Sequence, residues 1–371
     1  IRDSYEAGVA VATAYPGTPS TEILENIVAY KNIYAEWSPN EKVALEVGTG
    51  AAIAGRRVLV AMKHVGVNVA ADPLFTLSYT GIRGGLVIVT ADDPAMHSSQ
   101  NEQDNRNYAK FAKIPMLEPS NSQEAKEYVK LALEISERFD TPVMLRSTTR
   151  ISHSKSIVQL SEPAPQVIKG ELEKQPEKFV MLPKFARIRH PLVEERIQKL
   201  TAFADTFEEN SMEMNDTSVG IITTGVCYQY AKESFPGYSF LKLGMVYPLP
   251  LSMIREFASQ VKKLYVFEEL DPFFEEQIRS LGIDVIGKEV FPICGELDPT
   301  RAEEGITGKK EQPGLEPPRV TLPPRPPNMC PGCPHRGIFY TLKKQGVFVT
   351  GDIGCYTLGA LPPLNTMDTC I

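Results

Sequence analysis

A rhythm in the first 160 residues narrows the possible folds more than anything else in this sequence. Short apolar runs at residues 8–15, 58–63, 85–91 and 142–147 alternate with helical patterns at 20–30, 40–55 and 122–139. Such alternation predicts an α/β fold, with parallel sheets covered by helices on both faces. Ser120-Asn121-Ser122-Gln123 offers a capping-box start for the third helix. Thr18 and Pro19 suit the N-cap and first position of the helix at 20–30. Residues 161–215 break the rhythm with Pro163, Pro165, Pro176 and Pro183, and read as a surface linker with some helix. A second, smaller αβ unit is expected over 216–300, with strands at 219–224, 240–245, 263–267 and 284–286. Residues 301–327 form a Pro-rich linker, stiff and extended, and a third unit opens at 328.

The chain carries 39 Lys and Arg against 46 Asp and Glu, a net charge of −7. That balance argues against a nucleic-acid partner. No run is long and apolar enough to span a membrane, and no signal peptide is recognised, so a cytoplasmic location is expected. Ile1 opens on a helix-like phrase and Ile371 follows an apolar, Pro-containing stretch, so the chain reads as a fragment. Four of the six cysteines fall between Cys330 and Cys370. Clustered cysteines point to metal, cluster or redox chemistry more than to disulfides.

Glu46 lies inside Val43-Ala44-Leu45-Glu46-Val47-Gly48-Thr49-Gly50-Ala51-Ala52-Ile53-Ala54-Gly55, a segment apolar nearly all round. Such a helix is expected to be buried, and a carboxylate in it is costly unless paired. Glu46 is then either a locally paired structural group or a proton-handling one at a site. Tyr15-Pro16-Gly17-Thr18-Pro19-Ser20 sits at the carboxyl end of the first strand, where open αβ sheets bind ligands; it also suits a simple turn. Cys330-Pro331-Gly332-Cys333 with Cys355 forms a candidate metal set. A cluster, a zinc site using His335, and no metal at all remain open. Gly351-Asp352-Ile353-Gly354 follows a strand and can turn backbone N–H groups toward a diphosphate.

Residues 14–22 resemble the opening of the pyrimidine-binding domain in 2-oxoacid ferredoxin oxidoreductases. Residues 40–46, 62–73 and 91–104 resemble the large (alpha) subunits of the indolepyruvate branch in particular. The likeness runs over nearly the whole chain. It implies a thiamine-diphosphate-binding fold: a pyrimidine-binding domain at 1–160, a transketolase carboxyl-terminal-like αβ domain at 216–300, and the start of a diphosphate-binding domain at 328–371. Glu46 matches the glutamate that hydrogen-bonds N1′ of the aminopyrimidine and favours the imino tautomer that takes the C2 proton. Thr18 matches a threonine near the substrate carboxylate, and Gly66 the loop against the aminopyrimidine. Gly351, Asp352, Ile353 and Gly354 match the start of the diphosphate site, whose Mg²⁺ element would follow residue 371. Glu268-Glu269 ends a strand of the middle domain and is read as structural.

One departure stands out. Pyruvate enzymes place an arginine for the substrate carboxylate just after the strand that ends here in Val89-Thr90-Ala91, and this chain has Asp92-Asp93. A bulkier 2-oxo acid is implied. Lys63, His64, His97 and Arg106 are the candidate replacement contacts, with His97 placed at the substrate. A CPGC and a later glycine-cysteine help hold a [4Fe–4S] cluster in small-subunit relatives, which is the cluster reading of Cys330, Cys333 and Cys355. The resemblance implies oxidative decarboxylation of an aryl 2-oxo acid, indolepyruvate, with coenzyme A. Electrons would pass through [4Fe–4S] clusters, mostly beyond residue 371, to ferredoxin. A smaller beta subunit would complete a hetero-oligomer, and the fragment alone is expected to be inactive. The rival readings are a non-oxidative thiamine-diphosphate decarboxylase and a non-catalytic subunit that kept the fold.

Overall fold

The computed structural model describes residues 2–164, 174–309, 323 and 327–370. Six strands come from the first part of the chain: β1 (Val11–Ala14), β2 (Tyr34–Trp37), β3 (Val58–Lys63), β4 (Leu86–Asp92), β5 (Met116–Leu117) and β6 (Val143–Thr148). They pair in parallel in the order β5-β6-β4-β3-β1-β2. Every residue of β3 and β4 is buried, as expected of central strands covered on both faces. The edge strand β2 is mostly exposed, so no apolar run marks it in the sequence.

Alternation along the strands sorts the two faces. Val58, Val60, Leu86 and Ile88 pack with Ala44 and Leu45 of the helix Glu41–Ile53 and with Leu74 and Leu77 of the helix Ala71–Thr80. Leu59, Ala61, Val87 and Val89 pack on the other face with the helices Thr21–Ile27 and Ser122–Phe139. The helix Ser122–Phe139 is capped by Asn121, whose side chain accepts from Glu124 N. Glu124 also accepts from Ser120 N at 2.8 Å, the residue before the cap, so the helix starts one residue later than a serine cap at Ser120 would set it. The helix Thr21–Ile27 begins after Ser20, so Thr18 is not its N-cap; the Thr18–Pro19 peptide is cis.

Residues 161–215 differ from the surface linker expected there. Pro183 opens the 22-residue helix Pro183–Ala204, and Pro191 lies inside it. Val193, Leu200 and Ala204 are fully buried, and Arg196 hydrogen-bonds the Asp140 carbonyl at 2.9 Å. That spacing is one helix face, so the segment docks instead of wrapping. Residues 165–173 lie outside the described residues.

Five further strands follow: β7 (Ser211–Glu213), β8 (Asp216–Thr224), β9 (Tyr238–Leu243), β10 (Met245–Tyr247) and β11 (Leu264–Phe267). The second sheet runs β11-β8-β9-β7, so it begins inside the expected linker. Residues 284–286 make only an isolated bridge, Tyr265 to Ile286. β10 leaves that sheet and pairs antiparallel with β5, extending the first sheet to seven strands. One apolar cluster accordingly runs from Ala44 through Val246 and Phe257 to Val285. The helix Pro299–Thr307 occupies the start of the expected linker at 301–327; residues 310–322 and 324–326 lie outside the described residues.

Ile1–Glu311 form one unit and Gln312–Ile371 another. In the second unit the helix Pro334–Gln345 packs Phe339 against Met329 and Met367, and β12 (Thr350–Gly351) pairs in parallel with β13 (Thr369–Cys370). Among the described residues no helix is long and apolar enough to cross a membrane.

Where the two sheets of the larger unit meet, charge is buried. Arg146 at the end of β6 donates to Asp92 at 2.7 Å and to Glu118 at 2.6 Å. Arg106 donates to Asp104 at 2.9 Å, to Glu268 at 2.6 Å and to the Glu269 carbonyl at 2.8 Å. Its guanidinium also lies 5.1 Å and 5.0 Å from the ring centres of Phe273 and Phe274. Burial, with Glu118 and Glu296 nearby, pushes the Glu269 carboxyl up to about 7. A carboxylate raised in the folded state binds a proton that the unfolded chain releases, so stability falls as pH rises between the two values. Replacing Glu269 by Gln should therefore stabilise the protein relative to wild type increasingly between about pH 4.5 and 7. Paired thermal melts across that range check it; a difference in melting temperature independent of pH would refute the assignment.

Candidate functional site

The sheet's parallel strands end together, and three of the segments that leave those ends carry the residues of interest. The helix Glu41–Ile53 starts at Asn40, whose side chain accepts from Val43 N at 2.9 Å. Gly48 brings it close to the sheet: a Cβ there would lie 2.6 Å from Val60 Cγ2 and 3.2 Å from Val58 Cγ1. Thr13 of β1 also donates to the Ala44 carbonyl at 2.7 Å.

This helix is not buried all round, contrary to the expectation from its composition. Glu46, Val47 and Gly50 form an exposed strip. The Glu46 side chain is 51% exposed, and its ion-pair partner among the described residues is Lys42 at 4.0 Å. Lys42 is itself bonded to Asp72 at 2.8 Å. A paired structural role for Glu46 is thus poorly supported, since an exposed pair this long is worth little. A Cβ on Gly50 would meet nothing within 4 Å. The strip offers one carboxylate, one aliphatic side chain and a glycine with open space above it.

Gly66 lies beyond the end of β3, at the start of the short helix Gly66–Val69. A Cβ on it would come within 2.6 Å of Glu41 Oε1. Glu41 is the carboxylate that sequence reasoning missed: it is 8% exposed, and burial raises its carboxyl above the usual range. Its signal was a glutamate directly after the capping Asn40.

Thr18 is exposed at the end of β1. Residues 93–104 come up beside it, with Ser98 Oγ donating to the Thr18 carbonyl at 3.4 Å. Asp93 organises that loop, accepting from Ser98 N at 2.9 Å and from Thr149 Oγ1 at 2.6 Å. Ala95 and Met96 take positive φ of 65° and 53° within it. His97, expected at the substrate, is exposed but held by Glu296 at 3.0 Å, a carboxylate that also takes Arg150 at 2.7 Å. His64 is fully enclosed, with Nε2 3.2 Å from the Asn101 carbonyl. Arg106 is enclosed in the ionic network and cannot reach a ligand.

In the smaller unit, Gly351, Asp352, Ile353 and Gly354 do form a strand end and turn. Two of its N–H groups are occupied, however. Asp352 accepts from Ile353 N at 2.6 Å, and Thr357 accepts from Gly354 N at 3.0 Å. A diphosphate would have to displace those side chains. Cys330, Cys333 and Cys355 are free thiols, and among the described residues no group of three or more His, Cys, Asp or Glu is placed to hold a metal ion.

Residues 3–221 match the family model described as "Pyruvate flavodoxin/ferredoxin oxidoreductase, thiamine diP-bdg". The chain belongs to that family. Three relatives named indolepyruvate oxidoreductase subunit IorA are similar to it along its whole length. They are 44% identical in Archaeoglobus fulgidus, 43% in Pyrococcus horikoshii and 42% in Methanothermobacter marburgensis, over 100%, 100% and 99% of this chain. The chain spans 64%, 62% and 64% of their lengths, less than two thirds of each. Among solved structures, a 2-oxoglutarate:ferredoxin oxidoreductase from Magnetococcus marinus superposes with a TM-score of 0.65 at 16% identity, over 82% of this chain and 63% of that one. A split-gene transketolase superposes with a TM-score of 0.50 at 12% identity, over 80% of this chain and 91% of that one. Both likenesses concern the fold, and they agree with a thiamine-diphosphate-binding α/β architecture.

For this member of the pyruvate flavodoxin/ferredoxin oxidoreductase family, the Gly48 contact sets where Glu46 stands. Gly48→Val should destabilise the protein by about 1–3 kcal/mol, because overpacking lifts the helix from β3. Thiamine diphosphate affinity of the intact enzyme should fall with it. Denaturant unfolding and cofactor titration check the pair; unchanged affinity in a folded variant would show that helix placement does not matter.

Proposed function

We propose that the whole enzyme oxidatively decarboxylates an aryl 2-oxo acid, of which indolepyruvate is the type, with coenzyme A and a ferredoxin-class acceptor. The supporting observation is the match of this entire chain to subunits named for indolepyruvate, at 42–44% identity. A smaller beta subunit, iron–sulfur clusters and Mg²⁺ belong to this reading of the full assembly. When bound, thiamine diphosphate supplies the nucleophilic carbon and the electron sink for decarboxylation.

The chain's own residues then have the following tasks. Glu46 accepts a hydrogen bond from the cofactor ring and holds the proton at N1′, which an amide could not do as an anion. Val47 and Gly50, exposed beside Glu46, would give the ring an apolar bed. Gly66, with no side chain, leaves room for the buried carboxylate of Glu41 against the backbone after β3. Thr18 presents its hydroxyl beside the substrate carboxylate. Asp92 and Asp93 leave no cation after β4, which disfavours a small, carboxylate-anchored acid such as pyruvate.

The test is a substrate panel with the intact two-subunit enzyme, its acceptor and coenzyme A. Indolepyruvate and phenylpyruvate should be oxidised with kcat/KM at least tenfold above pyruvate, and only with thiamine diphosphate present. Equal or better use of pyruvate overturns the substrate assignment, and turnover without the cofactor overturns the chemistry.

A further inference from the structure

A 2-oxo acid brings a carboxylate into the site, and a carboxylate leaving water needs a cation or several donors. Near the carboxyl ends of β1, β3 and β4, most cationic side chains are already committed. Arg146 is enclosed by Asp92 and Glu118, and Arg106 by Asp104 and Glu268. His97 and Arg150 share Glu296. Lys63 is the exception.

Lys63 is the last residue of β3 and is 8% exposed. Its stem runs under the turn at residues 15–19: a Cβ on Gly17 would lie 2.9 Å from Lys63 Cβ and 3.5 Å from its Cδ. The missing side chain of Gly17 is what makes room for the lysine. The ammonium then emerges beside the loop at 93–104 and donates to the Ser98 carbonyl at 2.6 Å. Ser98 is the residue whose hydroxyl touches the Thr18 carbonyl. Ser98 thus touches the Lys63 ammonium through its carbonyl and the Thr18 carbonyl through its hydroxyl.

An ammonium has three N–H groups, and among the described residues one bonded acceptor, Ser98 O, is present. Asp93 attracts it at a distance, but the Asp93 oxygens are filled by Ser98 N, Ser99 Oγ and Thr149 Oγ1. A single carbonyl offsets little of the cost of burying a charge. Burial lowers the Lys63 ammonium from its ordinary value, as an incompletely compensated cation should respond. A ligand carboxylate would supply the missing counter-charge.

We propose that Lys63 is the cation that binds the carboxylate of the 2-oxo acid, beside Thr18 and in the role that an arginine after β4 would otherwise fill. This rests on the proposed function and names the residue that anchors its substrate. The aryl group is left free of that anchor.

The experiment uses the intact two-subunit enzyme, loaded with thiamine diphosphate, as wild type, Lys63→Met, Lys63→Gln and Lys63→Arg. KM for indolepyruvate, KM for coenzyme A and cofactor affinity are measured on each. Losing one charge-assisted contact should raise KM for the 2-oxo acid by about 10- to 100-fold in the Met and Gln variants. KM for coenzyme A and cofactor affinity should stay within about twofold, and Lys63→Arg should recover part of the loss. Should Lys63→Met fail to fold, the near-isosteric Lys63→Gln gives the same reading. Unchanged KM for indolepyruvate in a neutral variant overturns the proposal, as does a parallel loss of cofactor affinity, which would mark a structural lysine. A wild type that oxidises no 2-oxo acid overturns the functional reading itself, and is distinguishable because it fails before any variant is compared.

Discussion

Glu46→Gln should lower kcat for aryl 2-oxo acid oxidation by the intact enzyme by about 10²–10⁴-fold, the usual worth of a positioned proton-handling group. Gln keeps the size and hydrogen-bonding reach of the side chain but cannot carry the negative charge that holds a proton at a ring nitrogen. The site makes this a clean substitution. Glu46 stands 51% exposed, 4.0 Å from a lysine already bonded elsewhere, so the amide disturbs no core and breaks no strong pair. Stability should change by less than about 0.5 kcal/mol, as at other exposed positions. Steady-state kinetics beside a denaturant melt separate the two effects. Activity within tenfold of wild type would remove Glu46 from the chemistry.

Arg146→Met should destabilise the larger unit by about 3–5 kcal/mol, because it removes one partner of a buried ionic cluster and leaves the others uncompensated. Asp92 and Glu118 both bond this guanidinium, and both are nearly or fully buried. Burial already pushes the Asp92 carboxyl up, and Arg146 is what partly restrains it. Without the arginine these carboxylates must take up protons or open the junction between the two sheets. Urea unfolding of wild type and variant at neutral pH measures the loss. A change under 1 kcal/mol would mean that the cluster is solvated or relaxes freely. The substitution lies outside the strip around Glu46, so cofactor affinity measured on the folded fraction should follow stability and show no separate defect.

The sheet could be read from the sequence where its strands are continuous apolar runs. β3 and β4 are buried at every residue, and their covering helices have a clear period. β2 could not be read, because Tyr34-Ala35-Glu36-Trp37 is short, edge-lying and mostly exposed. β10 could not be read either: Met245-Val246-Tyr247 looks like the end of β9, and only tertiary packing sends it to the other sheet. The helix Pro183–Ala204 was hidden by its prolines. Pro183 is a normal helix opener, and the buried stripe of Val193, Leu200 and Ala204 was the signal that outweighed Pro191.

The site was legible in part. Thr18 and Gly66 follow the ends of β1 and β3, and the composition around Glu46 suggested burial where the structure exposes it. A helix rich in Gly and Ala looks apolar on every side even when one side is kept bare. His97 and Arg106 illustrate a second limit. Both are polar residues near the right strand end, and only coordinates reveal that Glu296 and the Asp104–Glu268 pair already hold them. Lys63 was indistinguishable from them by sequence, and differs because its ammonium is buried with one acceptor. Cys330, Cys333 and Cys355 have a suggestive spacing, but among the described residues no group of three or more His, Cys, Asp or Glu is placed to hold a metal ion.

The role given to Glu46 stands or falls on hydrogen–deuterium exchange at C2 of thiamine diphosphate bound to the intact enzyme, quenched in acid and read by NMR. With equal cofactor occupancy, exchange in Glu46→Gln should be slower than in wild type by about 100-fold or more. Equal exchange rates in the two would contradict it.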